Sequence, residues 1–277
     1  MSSQTTAGFI KSPVQPVRME LDERFQFHCH PGVACFNACC KSIDITLTPY
    51  DILRLKNRLG ITSTEFLVRH TTRFDMDAHG LPGVKLDHQS NSKACQFLTE
   101  EGCGVYQDRP SACRYYALGT VSMRKKAAAN EENFYFVVKE DHCLGHNEPK
   151  TQMVREYRHE QGVDDYDELN AEWRQVVLKK RSCGPTLGKP SSRSLDFFYL
   201  SSYDVDGLRE FLKSPGFSET YDIDEPFMRQ LLNDEVILMK FGFRLLKQVL
   251  FGEATIPLKP DALEKRIARR RAEQPIS

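Results

Sequence analysis

Cys29, Cys35, Cys39 and Cys40 fall within a single twelve-residue run, and Cys95, Cys103, Cys113 and Cys143 follow before residue 150. A thiolate is a soft, strongly donating ligand, and a reduced chain that gathers thiols does so mainly to hold zinc, copper(I) or an iron–sulfur cluster. The competing use is a disulfide framework, which needs an oxidising compartment. Residues 1–10 lack the basic stretch and apolar run of a secretory leader, so the expectation is a cytoplasmic protein with its thiols reduced. The ninth cysteine, Cys183, stands apart in a Gly/Pro-rich stretch and reads as uninvolved.

The spacing says what kind of site this is. Seven residues separate Cys95 from Cys103 and nine separate Cys103 from Cys113, too open for a zinc knuckle built on two short hooks. The site has to be assembled by the fold. Zinc and a cubane cluster each take four protein ligands, so eight thiols allow two sites, or one site with spare thiols. In extended backbone Cys39 and Cys40 would point to opposite faces, so that they serve different sites or one packs as a small hydrophobe. The preferred single set takes Cys39 or Cys40 together with Cys103, Cys113 and Cys143. Wide, all-sulfur supply favours iron as a 4Fe-4S cluster, with zinc or mononuclear iron as the alternatives.

Other chemistry-bearing residues flank these cysteines. His28, His30, His142 and His146 could complete a mixed site or be surface and supporting residues. Arg109 and Arg114 bracket Cys113, where guanidinium groups would stabilise a negative cluster; otherwise Arg109 pairs with Asp108 or Asp141. Tyr106 and Tyr115 read as core aromatics rather than redox relays.

Together these segments resemble the YkgJ-type cysteine-cluster family, described as zinc- or iron-chelating. The resemblance rests on the run ending Cys39-Cys40, on Leu47-Thr48-Pro49 opening a helix, and on Cys95-x-x-Leu98. It continues through Gly102-Cys103-x-Val105-Tyr106-x-x-Arg109-Pro110-x-x-Cys113-Arg114 and His142-Cys143-x-Gly145, and covers about residues 27–175. Five residues between Cys29 and Cys35 are a departure from the pattern. What the resemblance implies is a bound metal centre. A flagellin lysine methylase carries a similar pattern, which places a cluster-dependent protein-modifying transferase among the alternatives, beside a structural zinc module with an interaction role. The chain shows neither a glycine-rich S-adenosylmethionine loop nor a Cys-x3-Cys-x2-Cys motif.

The elements that must position the thiols are short. Ile43–Leu47 alternates like a strand, and Thr48-Pro49-Tyr50-Asp51 opens a helix that should end at Gly60. Thr62-Ser63-Thr64-Glu65 writes a second helix start, and 72–94 reads as a loop or irregular hairpin. Strands are predicted over 115–123 and 134–139, paired antiparallel, and helices over 149–160 and 164–180. Beyond a 181–194 linker come a short segment at 195–200, helices at 206–213 and 226–251, and a last helix at 261–272. The fold class is α+β: a small cysteine-ligated core with short antiparallel strands and flanking helices, plus a helical C-terminal extension. Residues 1–24 form a loose lead-in, 25–180 the metal-binding domain and 195–277 the extension. Phe227, Phe241, Phe243 and Phe251 are expected to pack the long helix against the metal domain, with a protein partner through 195–277 as the lesser option.

Several classes are excluded. With 38 basic and 38 acidic residues the chain has no global field for nucleic acid or anionic lipid, and the basic run Lys265–Arg271 reads as a solvated helix end. Lys240, Arg244 and Lys247 interrupt the longest apolar stretch, so no membrane span is expected. No Walker loop, Gly-x-Ser-x-Gly elbow, His-Glu-x-x-His or dinucleotide fingerprint occurs.

Overall fold

The computed structural model describes residues 17–124, 131–182, 190–262 and 264–265; Cys183, the basic run beyond Lys265 and most of the 261–272 helix lie outside them. The architecture is α+β, with short antiparallel strands in small sheets and a helical C-terminal part. Two compact units share the chain. One takes the chain up to Ile43, then His88–Gly104 and Ala112–Asp164; the other takes Asp44–Asp87, Val105–Ser111 and the chain from Asp165 onward.

In the first unit, Arg24–Gln26 pairs antiparallel with Thr151–Met153, Phe25 lying opposite Gln152. The two-residue period of a strand puts Phe25 and Phe27 on one face. Both are buried, with ring centroids 5.3 and 5.9 Å from Tyr157. Tyr157 belongs to the helix Val154–Gln161, which ends at Gly162 (φ 64), a left-handed position that glycine occupies without strain. The helix expected from Pro149 thus starts five residues late, because Thr151–Met153 is drawn into a sheet by a partner far away in sequence. The hairpin of Leu118–Arg124 and Glu131–Val137 is antiparallel as expected, but its ends are shifted. Tyr115 closes the helix Ser111–Tyr115 instead of opening the strand. Phe25, Phe27, Tyr115, Leu118, Tyr135 and Tyr157 form the core of this unit.

In the second unit, the helix Pro49–Leu59 has the expected ends, and its start is fixed by a reciprocal cap. The Thr48 hydroxyl accepts from Asp51 N–H, and one Asp51 oxygen accepts from Thr48 N–H at 2.7 Å. The other Asp51 oxygen accepts from Ser111 N–H at 2.7 Å. The carboxyl is fully buried, and burial pushes its pKa up against these bonds. The strand over 43–47 shrinks to Thr46–Leu47, and the stretch over 72–94, read as a loop or irregular hairpin, begins as a hairpin. Its arms, Thr71–Asp75 and Pro82–Leu86, pair antiparallel, with Thr46–Leu47 on the other edge of Pro82–Leu86.

The later helices are Asp164–Ser182, Ser192–Tyr203, Val205–Leu212, Pro215–Ser218, Glu225–Asn233 and Glu235–Phe251. The last two replace the single helix expected over 226–251. Asp234 leaves helical geometry (ψ 111), and its carboxylate caps the second by accepting from Val236 and Ile237 N–H. Phe241 packs on Phe227 and Phe217 within this unit's own core, which also holds Leu208, Leu231 and Leu245. Gly242 lets the helix approach the Ser201 carbonyl, where a Cβ would sit 2.6 Å from the oxygen.

Asp51→Ala should destabilise the second unit by about 2–4 kcal/mol, since it orphans two backbone donors and a cap at a buried position. Urea unfolding followed by circular dichroism checks this, and Asp51→Asn, which keeps one acceptor, should lose less.

Candidate metal centre

The cysteine segments are short of regular structure, so local hydrogen bonds shape them. Past the strand Arg24–Gln26, Phe27 N–H donates to the Lys150 carbonyl and His28 N–H to the Gly145 carbonyl, both at 3.0 Å. The chain then winds through successive three-residue turns, with Val33 donating to His30, Phe36 to Val33, Ala38 to Cys35 and Cys40 to Asn37. Val33, 6 % exposed, is the buried anchor of this run. Asn37 takes the left-handed conformation (φ 64) that asparagine tolerates, and Ala38–Lys41 is a 3-10 helix.

That helix corrects the expectation for Cys39 and Cys40. The backbone is not extended there, and the two sulfurs lie 3.9 Å apart on the same side. One thiol donates to the other. Cys39 is lowered to about 7, first by the Cys40 S–H, while Cys40 is pushed up by the same bond and by burial. The bond couples the ionisation of the two thiols.

Three other segments close on this turn. Cys95 N–H donates to the Cys40 carbonyl at 2.8 Å, and Ile43 N–H to the Lys93 carbonyl at 3.0 Å. Leu98 pairs with Cys103 across a tight bend in which Gly102 holds φ 129, and a Cβ there would sit 3.3 Å from the Asn37 side chain. Leu144 N–H donates to Cys35 Sγ at 3.1 Å. Gly145 is needed for a close approach, since a Cβ would meet the Phe27 ring at 2.7 Å and the His28 carbonyl at 3.0 Å. Cys113 lies on the short helix Ser111–Tyr115.

Electrostatic influence links several of the sulfurs. After its bond to Cys39 and its burial, Cys40 is raised further by negative charge on Cys39, Cys113 and Cys95. Cys95 is raised by burial and then by Cys103 and Cys39; Cys143 is raised by burial and then by Cys35 and Cys39, against the Gly145 N–H that lowers it. These influences connect Cys35, Cys39, Cys40, Cys95, Cys103, Cys113 and Cys143 pair by pair. Cys29 is exposed. All eight are thiols rather than disulfides. A soft donor set with one thiol already near neutrality fits a bound thiophilic metal or cluster. Among the described residues no three of the sulfurs close to within 4.8 Å of one another.

The flanking residues divide. Both His146 ring nitrogens face carbonyls, of Val138 at 2.9 Å and Gln26 at 3.2 Å, which makes it a structural bridge. His142 Nε2 lies 3.7 Å from Glu140. His28 and His30 stand beside Glu148, a residue that nothing in the sequence singled out. Arg114 donates to the Gln161 carbonyl at 2.7 Å, tying down a helix end. Asp108 is held by Arg54 at 2.5–2.9 Å, and the Arg109 guanidinium lies over the Tyr106 ring at 4.1 Å. Tyr115 is a core residue as expected, whereas Tyr106 is 50 % exposed. Among the described residues no helix is long and apolar enough to cross a membrane.

In metal-free, reduced protein, alkylation at Cys39 should rise with a midpoint near pH 7, well below that of Cys95 or Cys143. Cys40→Ala removes the donor and should shift the midpoint up toward an ordinary thiol; peptide mapping across a pH series reads both.

Residues 28–144 match the family model CxxCxxCC, described as a "putative zinc- or iron-chelating domain". That span stops short of the 145–175 stretch included in the sequence resemblance. No curated protein and no solved structure matches the chain.

Proposed function

We propose, from the premise that residues 28–144 are a domain of the CxxCxxCC zinc- or iron-chelating family, that this chain holds an iron–sulfur cluster through cysteine thiolates in a reducing, cytoplasmic setting. The observation that carries the reading is the pairwise linkage of Cys35, Cys39, Cys40, Cys95, Cys103, Cys113 and Cys143, more thiols than a single zinc can take. Spacing supports the cluster over zinc. Four thiolates around one zinc at about 2.3 Å lie roughly 3.8 Å from each other; the Cys39–Cys40 pair is that close, but among the described residues no three of the sulfurs lie within 4.8 Å of one another. A cubane is larger than one ion and accepts thiolates held farther apart.

The residues have separable tasks in this reading. The Cys39–Cys40 pair gives up its first proton near neutrality and so supplies an early ligand. Cys103 and Cys113 reach the centre from a tight bend and a short helix, and Cys143 arrives beside the Leu144 N–H that donates to Cys35. A bound cluster would supply one-electron chemistry. The amide donors at Leu144 and Gly145 would stabilise negative charge on the sulfurs they face.

Anaerobically purified protein should be brown, with iron and acid-labile sulfide in near-equal amounts. Cys103→Ser and Cys113→Ser should each cut bound metal and lower thermal stability, because metal binding is coupled to folding. Cys183→Ser should leave metal content unchanged. Colourless protein with zinc as its only metal overturns the cluster, and unchanged metal in both the Cys103 and Cys113 variants removes those residues from the site.

A further inference from the structure

We propose that His28, His30 and Glu148 form a second cation site, of nitrogen and oxygen donors, that binds one divalent transition-metal ion of the zinc type apart from the thiol centre. One donor atom from each residue lies within 4.8 Å of the others. His30 Nε2 is 3.3 Å from Glu148 Oε2, and the His28 and His30 rings lie 4.6 Å apart, tilted by 43°. The grouping follows from the backbone. Phe27 and His28 are tied to Lys150 and Gly145, on either side of Glu148, and the chain from 27 to 30 carries no helical turn. The two imidazoles, two residues apart in this run, come to lie side by side.

The donor chemistry differs from that of the thiol centre. Two neutral imidazoles and a carboxylate suit zinc or another borderline divalent ion, whereas the thiols select softer centres. Three protein ligands leave a fourth position for water, the arrangement of open rather than purely structural zinc sites. The side chains of His30 and Glu148 are 37 % and 32 % exposed, so an ion can enter and keep that water. Without an ion, Gly32 N–H donates to His30 Nδ1 at 3.2 Å, and Nε2–H faces Glu148. An ion seated among the three displaces that hydrogen bond. The His30 proton moves to Nδ1, and the exposed Gly32 N–H turns to solvent, so no net proton is released and no covalent bond changes.

Cobalt(II) distinguishes this site from the thiol centre in the full chain, because sulfur ligation gives an intense charge-transfer band and nitrogen–oxygen ligation only weak ligand-field bands. His30→Ala and Glu148→Gln should each lose about one equivalent of bound Co2+ and the weak bands, with the sulfur band intact, as expected for a separate three-ligand site. Cys113→Ser should weaken the sulfur band and retain the weak ones. Unchanged stoichiometry in both the His30 and Glu148 variants overturns the site. So does a fall of the sulfur band in either, which would instead place these residues in the thiol centre. Glu148→Gln conserves shape, and circular dichroism on each variant separates lost binding from lost fold. If the cysteine variants leave the sulfur band unchanged while the histidine variants lose their equivalent, the cluster reading fails and this site stands.

Discussion

Like charges held close together cannot all ionise, and that constraint governs the first unit of this protein. Burial raises Cys95 and Cys143, and the neighbouring thiols raise them further; Cys40 is raised by its bond to Cys39, by burial and by the charges of Cys39, Cys113 and Cys95. The hydrogen bond between Cys39 and Cys40 ties their ionisation together. A metal or cluster removes the conflict by replacing protons with positive charge, so binding and ionisation proceed together. The sulfurs amount to a stored electrostatic demand for a soft cation.

Meeting that demand requires backbone rather than side-chain machinery. The sulfurs come from a three-residue turn, a tight bend, a short helix and a bend before Gly145, none of which has a large core of its own. They are joined by main-chain bonds such as Cys95 N–H to the Cys40 carbonyl, and by close approaches that exclude a side chain at Gly102 and Gly145. The aromatic core around Phe25, Phe27 and Tyr157 backs this assembly, and Phe27 serves both layers because the Gly145 bend packs on its ring. Strain at Gly145 would therefore reach the Cys143 loop directly.

How much of this was legible in the sequence depended on the range of the signal. The helix Pro49–Leu59 was readable to the residue because Thr48, Pro49, Asp51 and Gly60 each act within one turn of its ends. The strand Thr151–Met153 was not, since its partner Arg24–Gln26 lies more than a hundred residues away and a helical pattern competes for the same residues. Asp234 looked like one more polar residue in a long helix, and only its ψ reveals a cap. The cysteines were legible as a set of residue types, yet the facing of Cys39 and Cys40 turned on Asn37 adopting a left-handed conformation that no spacing rule encodes. Glu148 carried no signal, because its relation to His28 and His30 arises from two backbone bonds spanning the chain.

The intervals in the first cysteine run show why counting thiols is a poor guide to ligation. The family's motif spaces its cysteines by two, two and no residues, whereas this chain has five, three and none. Lengthening the second interval still leaves Cys35 within the wound segment, because the turns from His30 to Lys41 shorten the path and bury Val33 beneath it. Lengthening the first has a different effect. Cys29 falls before the winding begins, and the rings of His28 and His30 on either side of it lie 4.6 Å apart. The nitrogen donors gather by local conformation, and two backbone bonds from Phe27 and His28 bring Glu148 beside them.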